Sequence, residues 1–255
     1  MRARNIAAVL AGAALNLVAA GAAQAAAGPA NGLYLATLYF SGSLSKDVYL
    51  FRDGQVAHGP IGPIENFDFA RFRKAAPRAV GSFALNGNRL VVIWADGSRK
   101  EGAFERQAGD PCFYWDTWSF CPVTPFPPGA RLDGTFSGGG GSTISLTGTP
   151  LVQDMTLTLH QNGRFEYSGL SAIIPTAPNP DTPIPDPRPD IPGRLPSASA
   201  TEEQTGTYEI DGTALTLHPA GKPARTALVF PYNDDRSPLQ PHWLYFNGVM
   251  LTRIK

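Results

Sequence analysis

Beyond its first thirty residues the chain alternates apolar and polar positions in short runs, each broken by glycine, proline, asparagine or aspartate. In the run around residue 210, Tyr208, Ile210, Leu215 and Leu217 fall on one side, while Glu209 and Thr216 fall on the other. A period of two predicts half-buried β-strands, with one face toward a core and one toward solvent. Asn-Gly and Asp-Gly are the preferred pairs for tight hairpin turns, because the turn needs positive φ. The dipeptide occurs eight times, beginning at Asn31, Asp53, Asn86, Asp96, Asp133, Asn162, Asp211 and Asn247. Strands separated by such turns predict a chain of β-hairpins.

The flanks of these turns repeat. Gly81-Ser-Phe-Ala-Leu-Asn-Gly-Asn-Arg-Leu-Val-Val92 aligns without gaps to Gly206-Thr-Tyr-Glu-Ile-Asp-Gly-Thr-Ala-Leu-Thr-Leu217. Val48–Val56 aligns likewise to Leu157–Phe165, and Asn31-Gly-Leu-Tyr34 to Asp133-Gly-Thr-Phe136, in the same order. The pattern predicts an internally duplicated antiparallel meander; two copies are too few for a solenoid. The fold class expected is therefore all-β, a barrel or sandwich, with one large barrel or two small ones left open.

Two segments break the strand pattern. Asn66 or Asp68 is placed to cap a short helix in which Phe69 and Phe72 share a face and which Pro77 ends. At the matching place in the second copy, Pro175 to Pro196 holds nine prolines in 22 residues. Such a run is expected to be polyproline-like or disordered, either as a tolerated loop insertion or as a docking segment for a partner. The expected division is a leader (1–25), a first β unit (26–108), a connector (109–130) and a second unit (131–255) with the proline-rich insertion at 175–204.

Composition narrows the function classes. Of 255 residues 21 are basic and 21 acidic, only 16% are charged, and there are 27 glycines and 24 prolines. No basic excess exists to neutralise a phosphate backbone, so no nucleic-acid partner is expected. Charge is too sparse for a coiled coil, and glycine and proline too frequent for a mostly helical protein. At the start, Arg2 and Arg4 precede an apolar, alanine-rich stretch from Ile6 to Ala22, and Ala23-Gln24-Ala25 has the small-x-small spacing of a cleavage site. This predicts a Sec-type signal peptide, a mature start near Ala26, and a periplasmic or secreted protein that is not an integral membrane protein after cleavage. An outer-membrane barrel is disfavoured by the non-aromatic end Thr252-Arg-Ile-Lys255 and by short strands.

An oxidising destination makes Cys112 and Cys121 a disulfide pair. Between them lie Phe113, Tyr114, Trp115, Trp118 and Phe120. A tethered cluster of rings fits either a plug folded into a barrel end or an exposed platform for sugar stacking or protein contact. The five rings are the candidate binding residues. Other chemistry is harder to find. The nearest approach to a nucleophile elbow, Gly169-Leu-Ser171-Ala-Ile173, lacks its final glycine. His58, His160, His218 and His242 have no metal-ligand spacing. Ser137-Gly-Gly-Gly-Gly-Ser-Thr143 lacks the lysine of a phosphate loop. No cofactor is expected.

The Gly81–Val92 and Gly206–Leu217 hairpins resemble the final hairpin of small exported bacterial lipocalin-like β-barrel proteins. That resemblance implies an exported barrel that binds small ligands or proteins; it carries over no ligand residue. The function expected is an exported, non-enzymatic barrel protein binding a ligand or protein partner, with carbohydrate among the candidates. The competing expectation is an exported hydrolase for a glycan or ester, its site assembled only in the fold.

Overall fold

The computed structural model describes residues 28–138, 155–170, 201–232 and 238–255. The expected leader, Ser171, most of the glycine-rich stretch and the proline run at 175–196 lie outside the described residues.

Alternation and turns produce two sets of eight strands. The first is β1 (Gly32–Phe40), β2 (Ser43–Arg52), β3 (Gln55–His58), β4 (Val80–Asn86), β5 (Arg89–Trp94), β6 (Arg99–Glu105), β7 (Phe113–Trp115) and β8 (Trp118–Pro122). The second is β9 (Gly134–Gly138), β10 (Met155–Leu159), β11 (Arg164–Leu170), β12 (Thr201–Asp211), β13 (Ala214–Pro219), β14 (Arg225–Pro231), β15 (Trp243–Phe246) and β16 (Val249–Arg253). Within each set every strand pairs with the next, and the last closes on the first, giving two separate eight-stranded antiparallel barrels. Closure removes the exposed edges that an open sheet would leave.

The repeated windows fall at equivalent places. Gly81 lies opposite Trp94 as Gly206 lies opposite Pro219, and Leu90 opposite Gly102 as Leu215 opposite Ala227. A Cβ on Gly81 would sit 2.3 Å from the Ile93 carbonyl oxygen, and one on Gly206 would sit 2.1 Å from that of His218. The same close strand approach therefore demands the same glycine in both copies.

One alignment needs correcting by a residue. Asp53-Gly54 is a two-residue turn with both φ positive, whereas Gln161-Asn-Gly163 is a three-residue turn with only the glycine left-handed. The added residue shifts β10 relative to β2, so that Phe51 matches Leu159, and Tyr49 rather than Val48 matches Leu157. A one-residue shift exchanges the faces of a strand, and Val48 accordingly faces outward while Leu157 faces in.

Two expected boundaries also move. Residues 109–130 do not form a separate connector: β7 and β8 within them complete the first barrel, because Phe113 and Trp115 alternate with Tyr114 and Trp115–Trp118 closes a tight hairpin. The joining segment that follows places Phe126, Ala130 and Leu132 in the second barrel's core. Residues 201–204 of the expected insertion belong to β12.

The predicted helix is present as α1 (Phe69–Ala75), with the Asp68 carboxylate accepting from the Arg71 N–H at 2.9 Å and with Phe69 and Phe72 buried. It packs into an apolar seam between the barrels. Leu33, Val48 and Leu50 of the first barrel meet Leu228, Phe230, Tyr245 and Met250 of the second there. The Asn247 side-chain oxygen accepts from Gly62 N–H at 3.1 Å and Leu228 N–H at 2.6 Å, tying the seam together. Lys46 lies with its ammonium 4.0 Å from the Tyr232 ring centre. Burial there lowers its pKa.

The copies meet through different faces: β1–β4 of one against β14–β16 of the other, whose counterparts are β6–β8. On the strands left over, Thr135, Ser137, Thr156 and Thr158 face outward on β9–β10 and Arg99, Glu101 and Glu105 on β6, beside the exposed Ile93 and Tyr114 of β5 and β7.

Candidate functional site at the mouth of the first barrel

Eight strands enclose a space that side chains just fill. In the first barrel aromatic rings fill most of it: Phe113 and Phe120 stack at 4.8 Å, Tyr34 meets Phe113 edge-on at 5.2 Å, and Phe51 meets Phe83 at 5.1 Å. The chemistry changes at the end where the odd-numbered strands finish. Strand alternation places Asp47 inward on β2 above Tyr49 and Phe51, His58 inward on β3 above Val56, and Lys100 on β6 above Gly102 and Phe104. Trp94, Trp115 and Trp118 complete this end from β5, β7 and β8.

These side chains form a connected series. His58 stacks on Tyr49 at 4.6 Å, and its Nε2 lies 3.3 Å from Asp47 Oδ1, within ion-pair distance but off line for a hydrogen bond. Tyr49 meets Phe120 edge-on at 5.2 Å, and Phe120 lies 6.0 Å from Trp115. The Lys100 ammonium lies 4.3 Å from the Trp115 ring centre, a cation–π arrangement. Burial, then the Asp47 charge, raises the Tyr49 phenol well above its ordinary pKa. Desolvation lowers the pKa of Lys100, opposed by the fields of Asp116 and Asp47; the residue as a whole stays exposed, so the desolvation is partial.

Two polar atoms here are buried without a hydrogen-bond partner, Trp115 Nε1 and His58 Nε2. The indole N–H is donor only, and leaving such a donor unsatisfied costs about 1–3 kcal/mol. Trp115 is wholly buried, so solvent does not relieve that cost.

The five rings between the cysteines separate into three environments. Phe113, Trp115 and Phe120 are interior, as a plug would be; Trp118 is half-buried at the rim; Tyr114 points outward and is 45% exposed. They do not form one exposed platform, because strand alternation sends neighbouring rings to opposite faces. The Cys112–Cys121 disulfide closes the hairpin at the far end of the barrel, with Cα atoms 4.3 Å apart. Asp47, Trp94 and Lys100 escaped the sequence reading, and His58 entered it only as a histidine without metal-ligand spacing. The available signal was charge at inward positions: Asp47 shares the parity of Tyr49 and Phe51, and Lys100 that of Phe104.

The second barrel supplies an internal control. By register, Met155, Tyr167, Pro219, Phe246 and Val249 stand where the first has Asp47, His58, Trp94, Trp115 and Trp118, and Arg225 stands where it has Lys100. The scaffold is shared and the cation is kept, but the aspartate, the histidine and the three tryptophans are replaced. Elsewhere, His160 Nε2 lies 3.2 Å from Glu166 on an exposed strand end. Among the described residues no group of three His, Cys, Asp or Glu is placed to hold a metal ion, and no serine is bonded to His58. No helix among them is long and apolar enough to cross a membrane. Comparisons with protein-family models, with curated proteins and with solved structures find no match.

Proposed function

We propose that this chain is an exported, non-enzymatic binding protein whose ligand seats at the mouth of the first barrel. The observation that carries the reading is the buried, unpartnered Trp115 Nε1 within a ring of Trp94, Trp118, Asp47, His58 and Lys100. A barrel mouth with apolar walls and a few convergent polar groups is where small barrels bind ligands. Replacement of most of these groups in the second barrel supports a role other than holding the scaffold together. The lipocalin-like hairpin pattern and the eight-strand closure agree with it. Export rests on the leader pattern and is supported by the disulfide, a bond that persists in oxidising compartments.

The reading is tested by thermal shift of the mature protein against a panel of neutral glycans, aromatic acids and acidic sugars. A compound that binds raises Tm. The shift is expected to vanish in Trp118→Ala, at the rim, and to persist in Tyr114→Ala, on the outer face. A shift lost in Tyr114→Ala and retained in Trp118→Ala places the ligand elsewhere and overturns the proposal.

A further inference from the structure

The β1–β2 hairpin outruns the barrel that contains it. β1 pairs with β8 only as far as Thr37, and β2 with β3 only from Tyr49, so the rungs beyond join the two strands to each other alone. The arm rises at the mouth end of the first barrel and closes on a two-residue turn, Ser41-Gly42, with both φ positive. From Leu38 to Ser45 it carries no charge. Tyr39 is 74% exposed, Phe40 72% and Leu44 49%, and the first two are the most exposed large apolar side chains among the described residues. The shared scaffold does not ask for them. Continued without a gap from the matched Asn31–Tyr34 and Asp133–Phe136, the alignment sets Leu38, Tyr39 and Phe40 against Gly140, Gly141 and Ser142.

The placement of these side chains selects what covers them. Alternation sets Tyr39 and its cross-strand partner Leu44 on one face of the hairpin and Phe40 on the other. A flat partner reaches one face only, whereas a fluid apolar medium surrounds both. The area points the same way. With about 150–250 Å² for a whole aromatic residue, the three side chains offer about 400 Å², half of the roughly 800 Å² per partner in a standard protein interface. A second copy of the chain is therefore a poor cover. Charge begins one rung back, with Lys46 on the face of Tyr39 and Leu44, and with Lys100 at the rim beside the half-buried Trp94 and Trp118. An uncharged tip followed by tryptophan and lysine matches the order of side chains from acyl chains to headgroups at a membrane surface. Asp47 and Asp116 act on Lys100 at the same level, so apolar contact rather than net charge supplies the attraction. Leu38 to Phe40 spans about 7–10 Å at about 3.3 Å per residue, close to the roughly 5–10 Å depth of interfacial segments. The unpaired outer edges of the arm hold it at that depth, since bare backbone polar groups are too costly in the hydrocarbon core.

We infer that the tip of the β1–β2 hairpin seats the protein on a lipid bilayer, with Tyr39, Phe40 and Leu44 in the interfacial layer and the mouth of the first barrel toward the headgroups. The inference stands independently of any ligand held at that mouth.

The test is co-sedimentation of the mature protein with sucrose-loaded phosphatidylcholine vesicles at low and high salt. Binding is expected, and it is expected to survive high salt, because screening acts on charged contacts. The double substitution Tyr39→Ser/Phe40→Ser is expected to weaken it about tenfold or more, since binding scales with buried apolar area. Both positions are exposed, so its Tm and circular dichroism are expected to stay close to those of the unsubstituted protein. Tyr114→Ser, which removes an exposed ring from the barrel wall, is expected to bind as before. Phe40→Trp, which keeps a ring at the tip, is expected to shift its emission to the blue on vesicles and to be quenched by lipids brominated near the headgroup. The inference is overturned by failure to sediment with the vesicles, or by equal binding of the double variant. It is also overturned by binding that needs phosphatidylglycerol and disappears at high salt. A dimer of the mature protein that the double substitution dissociates assigns the tip to a second copy and overturns it as well.

Discussion

Replacing Gly81 or Gly206 by alanine tests whether the two barrels are copies held by the same physical constraint. A Cβ added at Gly81 meets the Ile93 carbonyl oxygen at 2.3 Å, and one at Gly206 meets that of His218 at 2.1 Å. Both obstacles are backbone on the neighbouring strand, so no side chain can swing aside. The strand pair must open at that rung. Overpacking of this kind costs about 1–3 kcal/mol, and loss of a ladder hydrogen bond adds about 1 kcal/mol. The stiffer unfolded chain returns about 0.4–1 kcal/mol. The net is about 2–3 kcal/mol for each substitution. With the seam joining the barrels into one unfolding unit, Tm is expected to fall by roughly 5–10 °C, at about 2–4 °C per kcal/mol for a unit of that size. Urea unfolding of the oxidised protein, followed by fluorescence and circular dichroism, measures the cost. Gly28→Ala is the control, since its added Cβ meets only Leu85 Cβ at an ordinary 3.8 Å. A cost below about 0.5 kcal/mol at either glycine, the range of ordinary surface changes, refutes the shared close approach.

Other outcomes follow from single contacts. Tyr208→Phe removes a hydroxyl that accepts from Leu132 N–H at 2.8 Å and donates to the Leu132 carbonyl at 2.9 Å, so denaturant unfolding should show a loss of about 1–3 kcal/mol. Phe83→Tyr at the matching position of the first barrel should return no comparable gain. Asn247→Ala leaves the Gly62 and Leu228 N–H groups without that acceptor in the seam, for a loss of about 2–4 kcal/mol, visible as faster hydrogen exchange at both amides. Tyr49 and Tyr245 have phenol pKa values raised by burial and then by the Asp47 charge. A raised folded pKa means that the protonated form is favoured in the fold. Its contribution is complete below the unfolded value of about 10 and is lost as pH rises above it. Alkaline titration should therefore show these phenols ionising together with unfolding, and early ionisation in the intact fold would contradict their burial.

Much of this fold was legible because alternation and turn chemistry are local. Six of the eight Asx-Gly pairs lie in hairpin turns, and the other two, at Asn31 and Asp133, precede the first strand of each barrel. Closure was not legible, since β1 pairs with β8 only after six strands have intervened. The seam had a signal that alternation hides: Val48–Phe51 and Ala227–Phe230 are buried on both faces, one toward a barrel interior and one toward the other barrel. Continuous apolar runs mark such strands. The site was half legible. Its tryptophans 115 and 118 stood out by density between the cysteines. Asp47 and Lys100 share the parity of inward rings on their own strands, but only the barrel's register brings them to one end with His58.

The most direct measurement on the proposed site uses the four tryptophans as separate reporters. In nitrogen-15 spectra of the mature protein, each indole N–H gives one resonance. Titration with a compound of the panel that raises Tm is predicted to move the Trp118 and Trp94 resonances at the rim, while Trp243 in the inter-barrel seam stays in place. Movement of Trp243 with the other three unmoved, or no movement of any indole at saturating ligand, contradicts a ligand-binding mouth on the first barrel.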